Sequence, residues 1–363
     1  MNHTRIFRLL AVVALFAVAV GAVSACTVTV TDRRPLPSRP AKLPKPPELN
    51  PAVKVWPEAV FTLPAKLRKG PNVQPVAMLS ANEALMVAPF ASRPQFVAYD
   101  RRTRRHRVLA TAPKWSDCSL CYEIRSVAVG EEQIVWTVGV YRSERWNPGL
   151  RHVELWTMPR SGGQMSLVTW LTGHYDEFPL QDELTIDGDQ ITWRNENGSY
   201  RIPLSGGKPQ EITVPAGSTP ADRLDPDVPY MTCGVEWCVG QMYPRDYELT
   251  TMLVQRRDGS GRTTFPALGE GPLIDDRFGL FELPYVYGVE ERAPIKDWGS
   301  SALLYDRCAA RSMRVGVKHE VEDSEEIGWG ASSAKAPILF WRERGNRYTV
   351  LDLSRIPDQP CRN

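Results

Sequence analysis

From about residue 52 onward, apolar and polar positions alternate in short runs broken by Gly, Asn, Asp and Pro, with no sustained 3.6-residue period. That pattern predicts an all-β chain. Two stretches are close relatives: SVAVGEEQIVWT, Ser126 to Thr137, and ELTIDGDQITWR, Glu183 to Arg194, with Gln, Ile and Trp in the same places. In each a turn (GEE or DGD) links two strands, and a third strand ends in a proline and a Ser-Gly-Gly before a fourth. Asn197-Gly198 suits a tight hairpin turn, whose central residues need positive φ. The first copy is longer because of YRSERWNPGLRH, Tyr141 to His152, and insertions of that kind belong in loops.

Weaker copies run through the rest of the chain. FVAYDRRTRRHRVLA from Phe96, LVQRRDGSGRTTF from Leu253, LLYDRCAARSMRVGV from Leu303 and ILFWRERGNRYTVLDL from Ile338 each give strand, polar turn, strand. Six units of about 50 residues fit between residue 52 and residue 363, the size of propeller blades. A four-stranded unit cannot bury both of its faces alone, so the expected fold is a six-bladed β-propeller of four-stranded antiparallel blades. The last unit ends at its third strand, Tyr348 to Leu353, whereas an orphan strand, Ala59 to Leu67, precedes the first. The early strand is therefore expected to complete the final blade and leave no free edge. Trp136, Trp193 and Trp341 hold equivalent strand positions, which predicts inter-blade packing; Trp146, in the inserted loop, is a candidate surface contact.

The hairpin YRIPLSGGKPQEITV, Tyr200 to Val214, resembles the blade-closing hairpin of TolB-like six-bladed propellers. The resemblance is strongest over two blades. It implies a scaffold that binds proteins or small ligands at the channel mouth, without a shared catalytic set.

The first residues have another origin. Arg5 and Arg8 precede an apolar run from Leu9 to Val23, then Ser24, Ala25 and Cys26, which is the layout of a secretion signal. Val23 to Cys26, VSAC, resembles the lipobox of bacterial lipoproteins, which implies cleavage before Cys26 and a lipid on its thiol. An uncleaved anchor helix or a plain secreted protein are the other readings. The expected organisation is a signal peptide over 1–25, a Pro-rich tether over 26–51 and the propeller over 52–363. Seven prolines between Asp32 and Pro51 make the tether an extended spacer, with a reach of about 60 Å. Its cations, Arg33, Arg34, Arg39, Lys42 and Lys45, suit either anionic headgroups or plain solvation.

Loss of residues 1–25 leaves as many basic residues as the 42 acidic ones. A neutral chain lacks the broad basic field of nucleic-acid binders, so that class drops out. Six cysteines remain beyond Cys26, and outside the reducing cytoplasm disulfides are the default. Cys233 and Cys238 flank one turn at the inner hairpin of the fourth blade and are expected to pair. Cys118 with Cys121 is the next simplest pair, leaving Cys308 to hold Cys361 on the fifth blade. Zinc would need reduced thiols, and a redox Cys-x-x-Cys would need a helix start where YEIRSVAV reads as a strand.

No cofactor or metal is expected, and no catalytic residue is assigned. His106, His152, His174 and His319 are scattered, and no Gly-x-Ser-x-Gly occurs. Asp187, Asp189, Asp275 and Asp276 lie near inner-strand turns and are the candidates for glycosidase or lactonase chemistry in a propeller channel. RRTRRHR, Arg101 to Arg107, belongs to an outer turn of the first blade and suits an anionic polymer, a lipid surface or simple solvation. HEVEDSEE, His319 to Glu326, reads as an exposed loop, and DRLDPD, Asp222 to Asp227, lacks the spacing of a calcium loop. The leading expectation is a binding or protein-interaction module held by Cys26 on the outer face of the cell membrane, with a protein or cell-envelope ligand. A propeller enzyme acting on an extracellular carbohydrate or lactone is the alternative, and a sensor ectodomain is a third.

Overall fold

The computed structural model describes residues 42–363, apart from 89–93, 113–121, 142–149, 172–183, 196–197, 213–227, 229, 235, 270, 272, 289–300, 317–326, 330–336, 344–345, 359–360 and 362–363. Cys26, Arg33, Arg34, Arg39, Cys118, Cys121, Trp146, His174, His319, Asn197 and the DRLDPD and HEVEDSEE stretches lie outside the described residues.

Six separate antiparallel sheets follow one another around the chain. After β1 (Val60–Pro64), blade 1 is β2 (Gln74–Met78), β3 (Glu83–Ala88), β4 (Gln95–Asp100) and β5 (Arg105–Thr111). Blade 2 is β6 (Tyr122–Val129), β7 (Gln133–Tyr141), β8 (Leu150–Pro159) and β9 (Ser166–Leu171). Blade 3 is β10 (Thr185–Asp187), β11 (Gln190–Asn195), β12 (Gly198–Pro203) and β13 (Gln210–Ile212), and blade 4 is β14 (Tyr230–Cys233), β15 (Trp237–Gln241), β16 (Thr251–Arg256) and β17 (Thr263–Pro266). Blade 5 has three strands, β18 (Phe278–Phe281), β19 (Ser301–Asp306) and β20 (Arg311–Gly316). Blade 6 is β21 (Gly328–Trp329), β22 (Ile338–Glu343), β23 (Arg347–Asp352) and, from the other end of the chain, β1.

The fold is thus a six-bladed β-propeller closed by its own N-terminal strand: Val60 pairs with Leu351 and Pro64 with Arg347. This closure gives the C-terminal sheet its fourth strand and removes an open edge. Trp136, Trp193 and Trp341 are each the fourth residue of a second strand, all buried. Each packs on the blade before it: Trp136 with Phe96 and Ala98, Trp193 with Val153 and Leu155, Trp341 with Leu304 and Met313.

The Ser-Gly-Gly repeat has a steric cause. A Cβ on Gly206 would meet the Val168 carbonyl oxygen at 2.7 Å, and one on Gly162 would meet that of Leu109 at 3.0 Å, so each glycine lets the turn touch the outer strand of the preceding blade. Both glycines also hold φ near +90°, which L side chains resist. In blade 3 the register Asn195↔Gly198 places Gly198 at the start of β12. The two-residue connection therefore begins one residue earlier than the Asn197-Gly198 pair suggests.

Two departures concern the fifth blade and the tether. Among the described residues the inner strand of blade 5 is reduced to two isolated bridges, Leu268 to Glu282 and Ile274 to Phe278, with Gly269 and Gly271 at positive φ between them, where they break the extended path. The compact unit begins at Lys42, and the last tether residues lie against the ring: Leu49 packs on the core of blades 4 and 5, and the Asn50 carbonyl accepts from the Arg314 N–H at 3.0 Å. Among the described residues no helix is long and apolar enough to cross a membrane.

Candidate functional site

In an antiparallel four-stranded blade the first and third turns fall at the same end, so inner and outer turns of all blades share one face of the ring. Their charges differ by ring. In or beside the inner turns stand Glu83, Glu131, Glu132, Asp187, Asp189, Glu236, Asp275 and Asp276, with Arg277 the only cation among the described residues. In the outer turns stand Arg101, Arg102, Arg104, Arg160, Lys208, Arg257, Arg262 and Arg307, with Asp258 among them and Asp100 and Asp306 beside them, capping the turns of blades 1 and 5.

The two rings are tied together by a repeated arginine immediately after the third strand. Arg101 Nη1 donates to the Ala81 carbonyl at 3.3 Å, and Arg160 Nη1 to that of Gly130 at 2.9 Å. Arg257 donates twice to Gly234, from Nε at 3.0 Å and Nη2 at 2.6 Å, and Arg307 Nε donates to Asp276 at 2.6 Å. Arg160 also reaches back to the Leu79 carbonyl in blade 1. Each guanidinium thus satisfies carbonyls that a tight inner turn leaves without ladder partners. The sequence carries this signal in YDR, MPR, QRR and YDR at the ends of the third strands of blades 1, 2, 4 and 5. Composition and motif searches pass over it.

Between blades 4 and 5 the clamp is elaborated. Asp276 accepts from the backbone N–H of Glu236 at 2.9 Å and of Trp237 at 3.3 Å. Arg307 lies over the Trp237 ring, 3.9 Å from its centroid, and burial pulls its pKa down while Asp276 opposes that pull. Arg277 grips Asp306 with Nε and Nη2 at 3.2 and 3.1 Å, and Asp306 also accepts from the Cys308 N–H at 3.0 Å. Asp275 is exposed on the same turn; desolvation and then the neighbouring Asp276 raise its pKa above the ordinary aspartate value. Asp187 pairs across the blade 3 hairpin with Gln190, and Asp189 accepts from the Gln190 amide at 3.1 Å. The four aspartates are divided between two blades, and Asp276 is committed to the scaffold.

The interface of blades 1 and 2 holds a second constellation. His152, Glu154 and Trp156 alternate along β8 on the face turned to blade 1, so all three point the same way. Buried Glu154 accepts from the Trp156 indole N–H at 2.8 Å, and its other oxygen meets His152 Nε2 at 3.1 Å. His152 in turn contacts the ring of Trp170, an outer-strand side chain that is 61% exposed. At the turn end of this interface, Leu79, Glu83, Arg107, Glu131, Glu132, Arg160 and Ser161 line a groove of about 400 Å³. Arg107 bridges it, donating to Glu83 at 3.3 Å and to the Ser161 carbonyl at 2.7 Å.

Among the described residues two disulfides are formed, Cys233–Cys238 across the inner hairpin of blade 4 and Cys308–Cys361, which ties residue 361 to blade 5. Among the described residues no group of three His, Cys, Asp or Glu side chains is placed to hold a metal ion. His106 is exposed on β5, apart from His152.

No protein-family model matches the chain, and no curated relative matches it. Solved structures similar to it include an oligogalacturonate lyase in complex with manganese, at 9% identity and a TM-score of 0.37 over 77% of this chain and 75% of that one. TolB from Acinetobacter baumannii is similar at 12% identity and a TM-score of 0.29, over 79% of this chain and 54% of that one. A nidogen/laminin complex is similar at 10% identity and a TM-score of 0.36, over 74% and 89%.

Proposed function

We propose that this chain is a lipid-anchored β-propeller on the extracytoplasmic face of the cell membrane that serves as a binding module for another protein or an envelope component. One observation carries the reading: Asp276, Asp306 and the arginines after the third strands are tied into the scaffold, while exposed charges such as Asp187, Asp275 and Glu236 at the inner turns and Arg102, Arg104 and Lys208 at the outer turns form the surface of the turn face. Asp276 and Asp306 are held by backbone N–H groups and arginine, an arrangement that fixes blades rather than leaving a proton carrier free. The two disulfides support an oxidising compartment, and Cys26 in VSAC supplies the anchor.

The test is in-cell crosslinking followed by mass spectrometry, with Cys26→Ser as the unanchored control. A stoichiometric partner captured by the anchored chain and absent with Cys26→Ser supports the module acting at the membrane. Unmodified Cys26 in the membrane fraction removes the anchor. The enzymatic alternative has its own specific observation, the raised carboxyl of Asp275 beside Asp276. It requires Asp275→Asn to abolish turnover of a polysaccharide or lactone while partner capture persists.

A further inference from the structure

Connections between second and third strands fall at the end of the ring opposite the turn face. At blades 4 and 5 these connections hold four of the chain's 12 tyrosines: Tyr243 and Tyr247 between β15 and β16, and Tyr285 and Tyr287 between β18 and β19. The corresponding connections of the other four blades contain none. Tyr243 is 62% exposed and Tyr287 41%, while Tyr247 and Tyr285 are half-buried.

Backbone hydrogen bonds join the two connections into a short ribbon across the blade boundary. The Tyr247 N–H donates to the Tyr287 carbonyl at 2.9 Å, the Tyr287 N–H to that of Glu248 at 2.9 Å and the Thr250 N–H to that of Tyr285 at 2.9 Å, with a bridge between Leu249 and Val286. Thr250 Oγ1 accepts from the Tyr285 N–H at 3.2 Å. Tyr247 holds φ of +65°, which a bulky residue keeps only where its surroundings impose it. Gly288 takes φ of +74°, and a Cβ there would meet Asp246 Oδ1 at 2.9 Å, so the glycine lets the two connections close on each other. Tyrosines fixed on such a ribbon offer a large contact area with little conformational entropy left to lose.

The charges around the rings select the partner. Arg245, Asp246, Glu248 and Glu282 are the charged residues of the described parts of both connections, all exposed, three carboxylates against one cation. Among the described residues none of the three carboxylates forms an ion pair. Asp246 and Glu248 flank Tyr247 in the chain, which sets carboxylates beside a phenol ring. Such a surface repels an anionic polymer, and a neutral glycan leaves its carboxylates unanswered. A guanidinium answers both parts, stacking on a ring while it pairs with a carboxylate. The chain holds one of its own arginines in this manner, since Arg277 lies 4.5 Å from the Phe278 centroid and pairs with Asp306.

We infer that this patch binds an arginine- or lysine-bearing segment of a partner protein, with Tyr243 and Tyr287 as stacking rings and Asp246, Glu248 and Glu282 as counter-charges. The inference deepens the binding-module reading proposed above and rests on it. It assigns partner recognition to the face opposite Asp275 and the groove of blades 1 and 2.

The experiment is fluorescence anisotropy of a labelled peptide of alternating arginine and glycine, titrated with the full chain in a non-ionic detergent that covers its apolar N-terminal run. The same peptide with glutamate for arginine is the control. The expected result is saturable binding of the arginine peptide, weakened by salt, and none of the control. Combined Tyr243→Ser and Tyr287→Ser should weaken binding roughly tenfold at unchanged net charge. Tyr243→Phe with Tyr287→Phe keeps the rings and should stay within about twofold of the parent. Asp246→Asn, Glu248→Gln and Glu282→Gln together should weaken binding roughly tenfold and flatten its salt dependence. The matched triple Glu132→Gln, Asp187→Asn and Asp275→Asn on the turn face should leave it within about twofold, since distant charges are screened. Absence of binding overturns the proposal, as does binding that survives the serine pair or falls equally with the two acidic triples. Tyrosine-dependent binding of maltohexaose in place of the arginine peptide overturns it in favour of a neutral glycan. In-cell crosslinking keeps the two readings apart: a partner captured equally by the parent and by the serine pair leaves the binding module standing and removes this site. If the parent captures no partner, the module reading fails, and the peptide titration still decides the patch.

Discussion

Blades 1 and 2 meet through rings, whereas blades 4 and 5 meet through a polar clamp. In the first interface Phe96 lies 4.6 Å from Trp136, which stacks on Trp156 at 6.4 Å, and the contact is an apolar wall with Glu154 sealed behind it. In the second, Phe265 stacks on Tyr305 at 3.9 Å, but toward the turn face the contact passes to Trp237, Arg307, Asp276 and Arg277. The difference follows strand length. Blade 2 has strands of nine and ten residues, enough to cover a neighbour with apolar area alone. In blade 5 the inner strand keeps only the bridges Leu268–Glu282 and Ile274–Phe278 among the described residues, and hydrogen bonds from guanidinium to carbonyl and carboxylate strengthen the contact where the ladder is thin.

Removing the central ring of the apolar interface breaks this comparison most severely. Trp136→Ala should destabilise the propeller by about 3–5 kcal/mol, through lost burial and the cavity left behind. Urea unfolding followed by circular dichroism reads the loss directly. Trp136→Phe sharpens the point, because the buried indole N–H has no acceptor among the described residues. Its removal discards no hydrogen bond, and the cost should fall well below that of alanine. A loss for Trp136→Ala of under about 1 kcal/mol would mean that the rings are passengers and that blade contact is held elsewhere.

In the polar interface the corresponding change is Asp306→Ala. Asp306 is 1% exposed and faces Arg277 at 11%, so deletion leaves a nearly buried guanidinium without its main partner. The expected cost is about 3 kcal/mol, somewhat reduced because Arg277 retains the Pro357 carbonyl at 3.0 Å and Asp358 at 3.3 Å. Arg277→Met combined with Asp306→Leu should recover most of the loss, since a buried ion pair contributes little over a well-packed apolar pair. Failure of the double variant to recover would show that the turn caps made by Asp306 to Cys308 and Ala309 matter more than the ion pair.

Much of this architecture was legible in the chain. Period-2 alternation, the two aligned copies and the unpaired strand at Ala59 to Leu67 lead to a closed six-bladed ring, because strand pairing leaves few other places for an orphan edge. The tryptophans were readable for the same reason: equal positions in repeated strands make equal contacts. Blade 5 was harder, since among the described residues its inner strand survives only as the bridges at Leu268 and Ile274 and carries no alternating pattern to detect. The arginine clamp lies one residue beyond third strands that otherwise share only the Tyr-Asp of blades 1 and 5, so it emerges only when those strands are set side by side. The His152–Glu154–Trp156 row sits in plain alternation along β8, but alternation alone does not say which face meets a neighbouring blade.

The smallest effect concerns the outer turns common to both regions. Asp100 caps the turn of blade 1, and the Thr103 N–H, its strongest influence, holds its carboxyl below the usual aspartate value; the Ser260 hydroxyl does the same for Asp258 in blade 4. A carboxylate with a depressed folded pKa contributes stability that is fully present above its unfolded value, near 3.8, and is lost as pH falls through the lower folded one. Asp306 makes the same capping bonds from a buried position, joined to Arg277. Single Asp100→Asn and Asp258→Asn variants should therefore differ slightly from the parent in unfolding midpoint at pH 7 and converge with it in acid. Both caps are solvent-exposed, so the difference should be near the limit of a thermal melt and smaller than that of Asp306→Asn at every pH above 4. A midpoint difference that persists unchanged through the acid range would mean that the asparagines disturb turn geometry and that the carboxylate charge contributes nothing. In that case the outer turns would be held by backbone conformation alone, and the distinction between the two interfaces would end at their buried layers.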